Sequence, residues 1–238
     1  MPPTPLPALL GFGFLLGLRH ALEADHLAAV STIVSTRRSA WGASLVGALW
    51  GLGHTAALLV VGLLVVGLHA EIPPRLAAGL ELGVAAMLVG LGLNVLWTLR
   101  RSGRLHHHIH AHGARLHVHP HVHAPAFVPA DGHHRVASMR RPFLVGLVHG
   151  LAGSAALMLV VAASIPSPAM ALAYVMVFGI GSVGGMTAMS AVVGAPVALV
   201  TARFARAEAV LRVGAALGSI AIGILVAWEI GARAGMLS

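Results

Sequence analysis

Arg19, His20, Glu23, Asp25 and His26 fall within eight consecutive residues of an apolar run near 7–34. Arg or Asp at a mid-membrane helix centre costs about 2.5–3.5 kcal/mol, so groups at such depth are expected to have a use. At 100° per residue His20, Glu23 and His26 follow one another about 60° apart on one stripe, whereas Asp25 projects about 140° from His20. A straight helix therefore cannot aim all four at one ion. Either the helix is broken here, or Asp25 serves another partner such as Arg19 or a hydrogen bond behind a ligand.

His54 follows Trp50-Gly51-Leu52-Gly53 in the next apolar run, where small residues allow close helix approach. With His20 and His26 it could complete a site. Imidazole nitrogen with one or two carboxylates suits Ni²⁺, Co²⁺ or Zn²⁺ better than Mg²⁺ or Ca²⁺, which favour oxygen cages. Arg19 has no lone pair for a metal and reads as an ion-pair partner of Glu23 or Asp25. Met158, Met186 and Met189 read as packing.

A second histidine population is of another kind. His106, His107, His108, His110, His112, His117, His119, His121 and His123, with His133 and His134, make eleven of the 16 histidines. The alternating His-x-His spacing lets neighbouring imidazoles share a metal without a fold, so the segment reads as a disordered cytoplasmic metal buffer.

The elements that must position these groups are helices in lipid. Hydrophobic residues make up 58% of the 238 positions and charged residues 9%, beyond what a soluble domain uses to fill its core. There is no cysteine, which excludes disulfides and thiolate metal sites. The basic residues lie between apolar runs rather than on an aromatic-interleaved patch, so nucleic acid is not an expected partner. No nucleophile–base pair, phosphate loop or ATP-binding motif is present, and no enzymatic activity is expected.

Runs long enough to cross a core of about 30 Å fall near 7–34, 41–68, 76–99, 142–165, 169–200 and 210–232, predicting six spans. The first lacks a basic leader and is not expected to be a cleaved signal peptide. Arg37, Arg38, Arg100, Arg101, Arg104, Arg115, Arg135, Arg140, Arg141, Arg203 and Arg206 lie in alternate connections, against Arg75 and Arg233 on the other side. The positive-inside rule then places both termini outside and the histidine-rich loop in the cytoplasm.

An internal repeat accompanies these spans. Gly17-Leu18-Arg19-His20 matches Gly146-Leu147-Val148-His149, and Gly51-Leu52-Gly53-His54 matches Gly179-Ile180-Gly181-Ser182 at nearly the same offset. The expected fold is an all-α integral membrane protein of two inverted three-helix repeats. Residues 1–99 form the first half, 100–141 the loop and 142–238 the second half. An odd number of spans per half inverts the second, and such repeats place substrate near the midplane. His149 stands where the repeat puts His20, but Ala152 and Ser154 replace Glu23 and Asp25. A second complete site is not expected; His149, Ser154 and Thr55 are candidate pathway residues.

His20-(x)4-Asp25-His26, preceded by Arg19 and followed one helix later by Gly53-His54-Thr55, resembles the signature of the nickel/cobalt transporter family. The string Val145-Gly146-Leu147-Val148-His149-Gly150-Leu151 is similar to its shorter, UreH-like members, which are urease-accessory membrane proteins. The resemblance implies secondary-type transport of Ni²⁺ or Co²⁺ across a bacterial inner membrane, with His20, Asp25, His26 and His54, joined by Glu23, recognising the metal. The metal is substrate, and no cofactor is implied. The resemblance also admits export, or a non-transporting chaperone serving nickel-enzyme maturation proteins. An organic-solute exporter on a similar repeat is the further alternative. Family members have Asp where Glu23 stands and an acidic–amide pair where Ser31-Thr32 stands, so ion selectivity does not carry over.

Overall fold

The computed structural model describes residues 6–35, 37, 39–67, 73–102, 109–112, 115–118, 132–151, 156–203 and 205–233. The helices are α1 (Leu6–His20), α2 (Ala24–Val34), α3 (Ala40–Gly62), α4 (Pro74–Ser102), α5 (Gly132–Leu151), α6 (Ala156–Ala163), α7 (Pro168–Arg203) and α8 (Ala205–Arg233). A π-helical turn, Leu63–Gly67, extends α3. Four segments, Ala40–Gly67, Pro74–Arg101, Pro168–Val200 and Ala207–Arg233, are long and apolar enough to cross a membrane, and the chain is a multi-pass membrane protein. They match the second, third, fifth and sixth expected spans.

The first expected span, 7–34, is not one helix. It is broken into α1 and α2, which meet at a bend of 56°; counted as one span, the pair raises the total to five. The reason for the break is local. Glu23 caps α2 in an extended conformation (φ −64°, ψ 150°), and the Asp25 carboxylate accepts the backbone N–H of His26 at 2.8 Å. Acidic side chains favour the positive end of a helix and compete with continuous helical hydrogen bonding, so Glu23-Ala24-Asp25 starts a helix rather than prolonging one. The fourth expected span, 142–165, falls on α5 and α6, on either side of residues that lie outside those described.

In the histidine-rich segment, strands β1 (Ile109–His112) and β2 (Arg115–Val118) pair antiparallel, with Ile109 opposite Val118. Ser154, His106, His107, His108, His119, His121 and His123 lie outside the described residues.

Helix α3 packs against α5 and α7, α1 against α7, and α4 against α8, while α2 lies among α8, α7 and α4. Glycines permit the close approaches. A Cβ on Gly53 would meet the backbone of Phe143 and Leu147, and one on Gly181 would meet the backbone of Phe14 and Leu18. These contacts exchange under the sequence repeat, in which Phe143 is the counterpart of Phe14 and Gly181 that of Gly53. The same exchange relates Gly51 on Val183 to Gly179 on Thr55, and Gly17 on Phe178 to Gly146 on Trp50. Between α4 and α8 it holds again, at a slightly longer offset. Gly92 faces Ala216 and Ile220, and its counterpart Gly223 faces theirs, Ala85 and Val89. Ser219 Oγ donates to its own counterpart, the Leu88 carbonyl, at 2.8 Å.

Two apolar clusters flank the break. One joins Val30, Val34, Val46, Trp50, Leu88 and Met186, and the other joins Leu58, Met158, Tyr174 and Phe178. Met158 and Met186 are fully buried among apolar neighbours, as packing residues.

Candidate metal centre

The break places His20 on the last residue of α1 and His26 in the first turn of α2, so the two rings meet across the bend with centroids 4.5 Å apart. From α3, His54 brings its ring to 5.1 Å from His20 and 5.2 Å from His26. One ring nitrogen from each of His20, His26 and His54 lies within 4.8 Å of the other two, and all three residues are buried. A second group shares His26. Asp25, His26 and His149 also converge within 4.8 Å, with His149 arriving from α5 and its ring 4.3 Å from that of His26.

Carboxylates set the tautomers. An ionised carboxylate only accepts hydrogen bonds, so a neutral imidazole bonded to one carries its proton on that nitrogen. His26 Nδ1 donates to Asp25 Oδ1 at 2.9 Å and His149 Nε2 donates to Asp25 Oδ2 at 2.9 Å, while His20 Nδ1 lies in ion-pair contact with Glu23 Oε1 at 3.1 Å. The two hydrogen-bonded rings each keep a lone pair on the opposite nitrogen. His26 Nε2, His149 Nδ1 and His54 Nδ1 are buried with no hydrogen-bond partner among the described residues. His20 Nε2 and His54 Nε2 lie 3.1 Å apart.

Metal–imidazole bonds of about 2.0–2.1 Å at angles from 90° to tetrahedral hold adjacent nitrogens about 2.8–3.4 Å apart. The 3.1 Å contact is a hydrogen bond between the two rings and also falls in that range, and a ring nitrogen of His26 lies within 4.8 Å of both. Asp25 is hydrogen-bonded to the His26 and His149 rings, an arrangement that orients an imidazole and raises its basicity. A buried polar nitrogen without a partner is unfavourable by about 1–3 kcal/mol, so His26 Nε2, His54 Nδ1 and His149 Nδ1 are candidate positions for contact with a bound ion.

The sequence expectations thus separate. His20, His26 and His54 come together as expected. Asp25 and Glu23, also expected as metal ligands, use the oxygens described above on His26, His149 and His20. The helix is broken, and Asp25 has partners other than the common ion. Arg19 is exposed; among the described ion pairs the carboxylates go to the histidines rather than to this guanidinium. Thr55 donates to the Gly179 carbonyl at 3.2 Å and serves the α3–α7 contact. His149 belongs to the site.

Sequence reasoning missed the aromatic walls. Trp50 stands 5.3 Å from the His26 ring and 5.6 Å from that of His149, and Phe178 stands 5.4 Å from that of His20. Trp50 and Phe178 occupy equivalent positions of the repeat, immediately before Gly51 and Gly179, a signal available in the sequence.

Over 231 residues the chain is 30% identical to the urease accessory protein UreH of Bacillus sp. (strain TB-90), covering 97% of this chain and 95% of the relative. The chain belongs to the nickel/cobalt transporter family, in its UreH-like group. A high-affinity nickel transport protein of Cupriavidus necator is 35% identical over 81 residues, 32% of this chain and 23% of that protein. A chloroplast protein of Arabidopsis thaliana, FOR GROWTH AND FERTILITY 2, is 27% identical over 222 residues, 90% of this chain but only 54% of its own length. No protein-family model and no solved structure matches the chain.

Proposed function

We propose that this chain is a secondary-type permease for a divalent transition-metal ion, Ni²⁺ or Co²⁺, with Zn²⁺ admitted by the same donors. The observation that carries the reading is the convergence of His20, His26 and His54 in the protein interior, where His26 Nε2 and His54 Nδ1 have no hydrogen-bond partner among the described residues. Borderline divalent ions prefer such imidazole sets. Six spans in two inverted three-helix halves are supported by the reciprocal glycine contacts, which relate α1 to α5, α3 to α7 and α4 to α8. Such repeats rock about a site near the midplane, where the histidines converge. The arginine distribution supports an inner-membrane orientation with the histidine-rich loop in the cytoplasm. Inward movement of a divalent cation is favoured by the membrane potential at about 2.3 kcal/mol per charge per 100 mV.

The test is flux of ⁶³Ni²⁺ or ⁵⁷Co²⁺ into proteoliposomes. Uptake above that of empty vesicles, abolished by His20→Ala and by His54→Ala, is the expected result. Flux equal to that of empty vesicles, or unaltered by both substitutions, removes the permease reading.

A second reading draws on the name of the Bacillus relative, a urease accessory protein. Here the chain would hand nickel to enzyme maturation proteins through its loop without transporting it. Deleting residues 105–134 separates the two, because a permease retains flux and a chaperone loses delivery while carrying no flux at all.

A further inference from the structure

Two cavities lie at opposite ends of α2, and the internal repeat relates one wall of each. The larger, about 430 Å³, is lined by Glu23 and Asp25 at the start of α2, Glu81 of α4 and Glu229 of α8. The smaller, about 120 Å³, is lined by Thr32 at the other end of α2 with Arg37, Asn94 and Arg141. Ile222, Leu225 and Val226 line the first, and their α4 counterparts in the register that pairs Gly223 with Gly92, namely Leu91, Asn94 and Val95, line the second.

Their charges are opposite. The first holds four carboxylates against the single guanidinium of Arg233, and the second holds two guanidiniums with no carboxylate among its lining residues. Glu229 meets Arg233 at 3.1 Å in an exposed pair. Glu81 is partly buried within an apolar span and makes no hydrogen bond or ion pair among the described residues. An ionisable group at that depth without a partner is a functional position by default. Asp25 also lines the acidic cavity. Asp25 there bonds His26 and His149, whose remaining nitrogens are buried and unpartnered. The charge reversal reaches the equivalent helix position as well, since the α8 counterpart of Glu81 in the same register is Arg212, which pairs with Glu208.

We infer that the two cavities are the mouths of one cation path. Glu81 and Glu229 collect the divalent ion on the side remote from the histidine-rich loop, and Arg37 and Arg141 repel it at the mouth on the loop side. The inference rests on the permease reading and deepens it by naming the side of approach and the carboxylates that serve it. Charge lining a concave, low-dielectric wall raises the local concentration of the opposite ion and its association rate by about 10–10³, an effect that salt screens. A divalent ion entering the acidic mouth exchanges hydration for carboxylate oxygen first, before any contact with imidazole.

The experiment uses the purified full chain and Ni²⁺ alone. In proteoliposomes the Glu81→Gln/Glu229→Gln variant should raise the apparent KM for ⁶³Ni²⁺ at least about threefold at low salt. The difference should collapse near 1 M salt, where the Debye length is about 3 Å. Calorimetric nickel affinity of the detergent-solubilised variant should match the parent, because the histidines are untouched. The absence of cysteine permits a second measurement that does not depend on flux. Leu225→Cys should react with a membrane-impermeant maleimide from the face opposite the loop, with Ni²⁺ slowing the reaction, and Asn94→Cys from the loop face. An unchanged KM in the double glutamine variant, or labelling of both cysteines from one face, overturns the inference even where His20→Ala abolishes flux. Opposite-face, nickel-protected labelling in a parent protein that carries no flux supports the two mouths and strikes the permease reading alone.

Discussion

The two halves of this molecule share their packing and differ in their chemistry. Gly53 closes on Phe143 as Gly181 closes on Phe14, so the scaffold contact is made twice. The break that brings two imidazoles and the Asp25 carboxylate together lies at Glu23, in the first half. In the second half only His149 keeps an ionisable side chain at the matched position, and it reaches across to Asp25 rather than to a carboxylate of its own. The comparison teaches that close helix approach is a backbone property, which glycine supplies wherever it recurs. An ion site instead requires particular donor atoms, and one set suffices for a path that runs between two halves.

The strongest way to break this comparison is to remove donors from each half in turn. His20→Ala, His26→Ala and His54→Ala should each weaken Ni²⁺ binding by about a hundredfold or more in calorimetry of the solubilised protein. His149→Ala, which removes only a partner of Asp25, should weaken it by about tenfold. Equal losses for His149 and His54 would show that both halves supply ligands.

Asp25→Asn comes next. Deletion of a carboxylate behind a ligating imidazole lowers metal affinity by about 10–100-fold, and here the change should appear in the same titration with the thermal transition of the apo protein little moved.

Smaller effects probe the shared scaffold. Gly53→Ala and Gly181→Ala each drive a methyl into facing backbone and should destabilise the protein by about 1–3 kcal/mol. Equal losses in denaturant titration would sharpen the equivalence of the two contacts; a loss confined to one would break it. Ser219→Ala removes the bond to the Leu88 carbonyl, and intramembrane hydrogen bonds of this kind average about 0.6 kcal/mol, so this should be the mildest change in the same assay.

Much of the scaffold was legible in the residues. Lipid leaves only helices and closed barrels as spanning structures, and the apolar runs 41–68, 76–99, 169–200 and 210–232 became helices at nearly those bounds. The run 7–34 reads as one span by hydropathy, which averages over a window, while the ionisable spacing within it already admitted a break. The local preference of Glu23 and Asp25 for a helix start is decided by two or three residues. His20, His26 and His54 were legible as a group because buried titratable side chains stand out in apolar sequence. A hydrogen bond from Asp25 behind a ring was among the alternatives the spacing left open, but which rings it holds was not legible, since one bend changes the angle between neighbouring side chains.

What the sequence determined by itself is therefore the solvent and the available donors: a chain this apolar must reside in lipid, and without cysteine it has no thiolate to offer a metal. Tertiary structure alone decided which donors meet. Residues as distant in sequence as Asp25 and His149 become partners when α5 packs on α3 and the chain turns at Glu23. Hydrogen-bonding and coordination energies fall away within a fraction of an ångström, whereas sequence spacing constrains position only along one helix at a time.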